Sequence, residues 1–93
     1  MNEPDKPTAL ERLRTKAEQY GWDSDTNYAR GVWRDRCIES WLLRLRRGDV
    51  RLAVTWERPP DRGWAFATAL RAAPFRRLNS REVAALVTSE VTP

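Results

Sequence analysis

Residues 41–70 read WLLRLRRGDVRLAVTWERPPDRGWAFATAL, and this stretch decides the fold. Trp41, Leu43 and Leu45 alternate with Leu42, Arg44 and Arg46. Arg47-Gly48-Asp49 turns the chain, and Val50, Leu52, Val54 and Trp56 alternate again. A period of two places one set of side chains on each face of a strand, so two paired strands are predicted. Pro59 and Pro60 cannot continue a ladder, and Gly63 permits the return. A third strand follows, with Trp64, Phe66 and Leu70 expected on the inner face and Ala65, Ala67, Ala69 and Arg71 on the outer. The expectation is an antiparallel meander with an aromatic inner face and an outer face carrying arginine.

Helices are predicted on both sides of the meander. Thr8-Ala9-Leu10-Glu11 has the form of a capping box, and Leu10, Leu13, Ala17 and Tyr20 follow at helical spacing. Gly21 suits the residue after the helix, and Trp22 can fold back on its last turn. Asn79 and Glu82 form a second capping signature, with Leu78 and Val83 as a hydrophobic staple and Leu86 and Val87 completing the stripe. Between the first helix and the meander, Asp23-Ser24-Asp25-Thr26-Asn27 reads as turn. Residues 29–47 admit two readings. Trp33, Cys37, Ile38, Trp41, Leu42 and Leu45 fit a helix, but Leu43 then falls on its polar side and Arg34 on its apolar side. The strand reading fits the turn at Gly48 better, with an extra short strand near residues 28–34. The predicted fold is therefore α+β: an N-terminal helix, a three-stranded or four-stranded antiparallel meander and a C-terminal helix. Residues 1–7 are expected as a flexible tail and residues 8–91 as a single domain.

Ninety-three residues suit one domain with a thin core, to which five tryptophans contribute. The single cysteine, Cys37, forms no internal disulfide, and no apolar run reaches the ~20 residues of a membrane helix. The polar start, residues 1–7, lacks the apolar core of a secretory signal. A cytoplasmic protein with no membrane partner is the expectation. The net charge of +4 is uneven. Residues 1–40 hold seven Lys/Arg against eight Asp/Glu, or −1; residues 41–93 hold ten Arg against five, or +5. A basic half suits an acidic partner. Fifteen of the seventeen basic residues are arginine, which a GC-rich genome also produces.

Chemistry is sparsely represented. Without histidine the usual neutral-pH general base is missing, and Cys37 has no imidazole to activate it. No zinc-ligand spacing and no glycine-rich phosphate loop is present. Neither catalysis nor a cofactor is expected. Arg47-Gly48-Asp49 spells an adhesion tripeptide, but a tight turn explains its glycine.

Leu78-Asn79-Ser80-Arg81-Glu82-Val83-Ala84-Ala85-Leu86-Val87 resembles the first helix of excisionase-type and MerR-type winged helices. Only residues 88–93 follow it, so a capped helix is expected without a recognition helix. The order helix, three strands, helix resembles double-stranded-RNA-binding domains in topology alone, without their lysine cluster. Three segments together, Ala17-Glu18-Gln19-Tyr20-Gly21-Trp22, residues 47–56 and the Arg-Glu-Val-Ala helix, resemble short accessory proteins of actinobacterial phages and their hosts. That resemblance implies an accessory role and no particular activity.

The outer face is the expected site. Arginines there surround small residues, which suits a protein partner or a second copy of the chain: Arg44, Arg46, Arg51, Ala53, Ala67 and Arg71. The alternative is a nucleic-acid contact through Arg44, Arg46, Arg51, Arg76 and Arg77. Against the alternative, the aromatics that would stack on bases are expected to face inward.

Overall fold

Helix α1, Thr8–Gln19, is followed by strands β1, Asp23–Trp33; β2, Arg36–Arg47; β3, Val50–Arg58; β4, Ala65–Ala72; and β5, Arg76–Leu78; helix α2, Ser80–Thr88, comes last. The structure is a computed structural model that describes residues 4–59, 62–72 and 74–89, with Trp33 described by its backbone. The five strands form one antiparallel sheet in the order β1-β2-β3-β4-β5. The class is α+β as expected, and the meander has five strands where three or four were expected: the extra strand near residues 28–34 is the full-length β1, and β5 is additional.

β1 is the main correction. It begins at Asp23, inside the stretch read as turn, and pairs without a break through Trp33 opposite Arg36. Asp, Ser and Asn are poor strand formers by propensity, but an edge strand needs only one paired neighbour and tolerates polar side chains. β2 supplies both the ladder and opposite charges. Residues 36–47 are strand throughout, which settles the helix-or-strand alternative.

Both helices pack on one face of the sheet. Leu10 and Ala17 of α1 and Val83 and Val87 of α2 join Trp41, Leu43, Leu45, Leu52, Val54, Trp56, Ala69 and Leu78 in one buried cluster. Each large apolar side chain fully removed from water contributes about 1.5–3 kcal/mol. The register puts Leu43, Val54, Ala69 and Leu78 in one row across four strands.

A register shift lies between Thr55 and Trp56: Trp56 pairs with Phe66 and Thr55 with Thr68, leaving Ala67 over. This bulge reverses the expected facing of the second half of β4. Ala69 is fully buried, and Arg71, opposite Leu52, also lies on the helix side; Leu70, opposite Ala53, turns to the open face. A strict period of two carried through residues 64–71 therefore misplaces Leu70, Ala69 and Arg71.

The helix ends differ from one another. In α1 the expected capping box does not form. Pro7 occupies the N-cap, its carbonyl accepts the Glu11 amide at 3.1 Å, and no side chain caps the end. The fixed φ of proline starts the helix one residue early, leaving Thr8 inside it. Just before the helix, Pro7 is buried, and Lys6 Nζ stands 4.8 Å from the Trp41 ring centre. At α2 the capping box forms fully: the Glu82 amide donates to Asn79 Oδ1 at 2.8 Å, and the Asn79 amide donates to Glu82 Oε1 at 3.1 Å.

Arg47 joins both helix C-termini to the sheet. Its guanidinium donates to the Tyr20 carbonyl at 3.1 Å and to the Ser89 carbonyl at 2.9 Å, and it lies 4.4 Å from the Trp22 ring centre. Trp22 Nε1 donates to the Val87 carbonyl at 3.0 Å. Helix C-termini present unsatisfied carbonyls and partial negative charge, and a guanidinium satisfies both. Arg47 of the adhesion-like tripeptide is thus engaged in the fold, and Gly48, at φ 60, supplies the positive φ its two-residue loop requires.

Candidate functional site

Among the described residues, cross-strand contacts between polar or charged side chains gather in two regions. The first is the sheet face opposite the helices. Its rows follow from the register: Asp25, Arg44, Ala53, Leu70 and Arg77 form one; Asp23, Arg46, Arg51 and Ala72 form the next. A groove of about 580 Å³ crosses them, floored by Ala53, Leu70 and Ala72 and flanked by Arg44, Arg46, Arg51 and Phe75. Phe75, in the β4–β5 connection, is 72% exposed.

The arginines of this groove are not equivalent. Arg44 makes a forked contact with Asp25, Nε to Oδ1 at 2.8 Å and Nη2 to Oδ2 at 3.1 Å. That carboxylate raises the Arg44 pKa above its ordinary value. Arg46 reaches Asp23 at 3.7 Å. Arg51 has no carboxylate partner among the described residues. Leucine, alanine and phenylalanine thus line a groove beside which the Arg51 side chain stands without a carboxylate partner among the described residues.

Of the expected site residues, Arg44, Arg46, Arg51 and Ala53 come together here. Ala67 sits in the bulge beyond the groove. Arg71 borders the groove through its strand, but its side chain lies on the helix side, where its Nε is buried without a hydrogen-bond partner. The alternative set is divided. Arg77 shares the open face, whereas Arg76 lies on the helix side, 2.6 Å from Glu82. Asp23, Asp25, Leu70, Ala72 and Phe75 were not expected. The first two were hidden by turn-like composition, the next two by the bulge. Phe75, just after Pro74, carried no periodic signal.

The second region lies on the helix side near the far end of β2. Glu39 accepts Tyr28 Oη at 2.5 Å and Arg58 Nη2 at 2.7 Å. The bonds from Tyr28 and Arg58 hold the Glu39 carboxyl below its ordinary 4.5, and the bond to Glu39, with burial, pushes the Tyr28 phenol up. Arg58 in turn lies 4.7 Å from the Trp64 ring centre. Arg30 Nε donates to Cys37 Sγ at 2.9 Å, and that contact raises the Arg30 pKa. Every carboxylate here is occupied, and no nucleophile stands beside a base. Among the described residues, no three His, Cys, Asp or Glu side chains converge as metal ligands, and no helix is long and apolar enough to cross a membrane.

The chain matches no known protein family, no curated protein and no solved structure. Any functional reading therefore rests on the surfaces themselves.

Proposed function

We propose that this chain is a small non-enzymatic accessory protein that acts by docking a protein partner, or a second copy of itself, on the open face of its sheet. One observation carries the reading. Both helices cover the same face, and the opposite face holds an apolar-floored groove edged by Phe75, two paired arginines and the unpaired Arg51. Interfaces favour this combination: an apolar centre, an exposed aromatic anchor and arginine at the rim. The partner that fits presents an apolar side chain to the floor and a carboxylate to Arg51. The cytoplasmic setting and the phage-type accessory context implied by the sequence resemblance belong to the same proposal.

Charge supports a protein over a nucleic acid on this face. Arg44, Arg46, Arg51 and Arg77 are offset there by Asp23, Asp25 and Glu57. Phosphate binding needs a continuous positive surface, and the carboxylates interrupt it. The test is partner capture from host lysate, treated with nuclease, using wild type and an Arg51→Glu, Leu70→Ser double variant. A nuclease-resistant protein retained by wild type and lost by the variant is the expected result. Equal retention by both would remove the open face from consideration.

A further inference from the structure

The β1–β2 hairpin overhangs the sheet. β3 pairs with β2 only as far as Glu39, so from Gly31 to Ile38 the ladder is two strands wide. Three residues of overhang at ~3.3 Å each extend ~10 Å, with the turn beyond. The end is basic. Arg30, Arg34 and Arg36 are exposed, against Asp35 alone in residues 30–38. The register places Arg30 at the base of the ribbon on the helix side and Arg36 on the other face, with Arg34 at the apex. Cys37 Sγ accepts a hydrogen bond from Arg30 Nε at 2.9 Å. Val32 between them is 76% exposed.

The apex is built against backbone preference. Arg34 and Asp35 both sit at positive φ, 50° and 63°, in a two-residue hairpin loop where Asn-Gly is the favoured pair. Gly48 supplies the positive φ in the other two-residue loop of the same strand.

We propose that this ribbon contacts duplex DNA in the major groove. The dimensions agree: the groove is about 12 Å wide and 8.5 Å deep and accepts a two-stranded ribbon, whereas the minor groove is only about 6 Å wide. Arg30 and Arg36, on opposite faces, meet the phosphates of the two groove walls, and Arg34 enters first. A-form RNA has a deep, narrow major groove that excludes such a ribbon, so the duplex bound is DNA. The ribbon lies at the opposite end of β2 from Arg47 and does not depend on the open-face groove.

The experiment is fluorescence anisotropy of the full chain with a labelled mixed-sequence DNA duplex across a salt series. Two phosphate contacts give a slope of log affinity on log salt near −1.8, so a fourfold rise in salt weakens binding about 12-fold. Arg34→Asn with Arg36→Gln should reduce that to about 3- to 4-fold and weaken binding at low salt. Asparagine accepts the apex backbone, so this variant keeps its fold. Arg34→Lys with Arg36→Lys should retain most of the slope, and Arg51→Glu should leave it unchanged. The proposal is overturned by no binding to DNA at the lowest salt, by equal binding of the Asn/Gln variant, or by equally tight binding of an RNA duplex. A protein occupant of the ribbon would appear as the first of these.

Discussion

The two faces of the sheet are made from the same strands but solve different problems. The helix side is continuous: one row runs Leu43, Val54, Ala69, Leu78, and Arg47 ties the helix ends to it. The open side has cross-strand ion pairs at its β1 flank and a shallow apolar floor with Phe75 beside it. Arginine serves both. Where it meets helix carbonyls, as at position 47, it is structural. Where it meets solvent beside apolar side chains, as at position 51, it is available to a partner.

Substitutions can break this contrast. The largest effect belongs to the covered face: Leu43→Ala should cost about 2–5 kcal/mol in denaturant unfolding, because removing a fully buried leucine leaves a cavity in the core. Arg47→Ala should cost about 2–3 kcal/mol, through lost charge-assisted bonds to the Tyr20 and Ser89 carbonyls and the Trp22 contact. An unchanged melting temperature for Arg47→Ala would contradict its structural role. Arg34→Asn at the ribbon apex should act in the other direction, stabilising by about 1 kcal/mol as the positive φ passes to a residue that tolerates it. On the open face, Leu70→Ser and Arg51→Glu should change stability by no more than about 0.5 kcal/mol while abolishing capture of the partner.

A pH series sharpens the picture at the end of β2. Glu39 is held below its ordinary 4.5, first by the bond from Tyr28 and then by that from Arg58. A carboxylate depressed in the folded state contributes its stability above the unfolded value and loses it as pH falls through the lower folded value. Wild type should therefore lose stability more steeply than Glu39→Gln below about pH 4.5, and the two should run parallel above about pH 6. Thermal melts across that range check it; parallel curves throughout would show that the Tyr28 and Arg58 contacts add nothing to the charged form.

Much of the covered face was legible in advance. Apart from Leu42 and Arg47, the strand residues within 41–56 alternate because β2 and β3 are central strands with one apolar face, and Asn79–Glu82 announce α2 because that cap is local in sequence. What escaped depends on partners distant in the chain. β1 is polar by composition and becomes a strand only by lying against β2. The bulge at Ala67 is set by the pairing of β3 with β4, and small residues around it carry no facing signal. These two features placed Asp23 and Asp25 opposite the arginines and exchanged Leu70 for Arg71 on the open face. The site was thus half legible: Arg44, Arg46, Arg51 and Ala53 came from alternation, while its charge balance and floor came from pairing.

The most direct test of the open face is site-specific photo-crosslinking in the host cell, followed by nuclease treatment. A photoreactive residue at Leu70 should yield a discrete protein adduct, either a partner or a second copy of the chain. The same residue at Ala85, exposed on α2, should yield none. Adducts from position 85 with none from position 70 would contradict the assignment of the open sheet face as the docking surface.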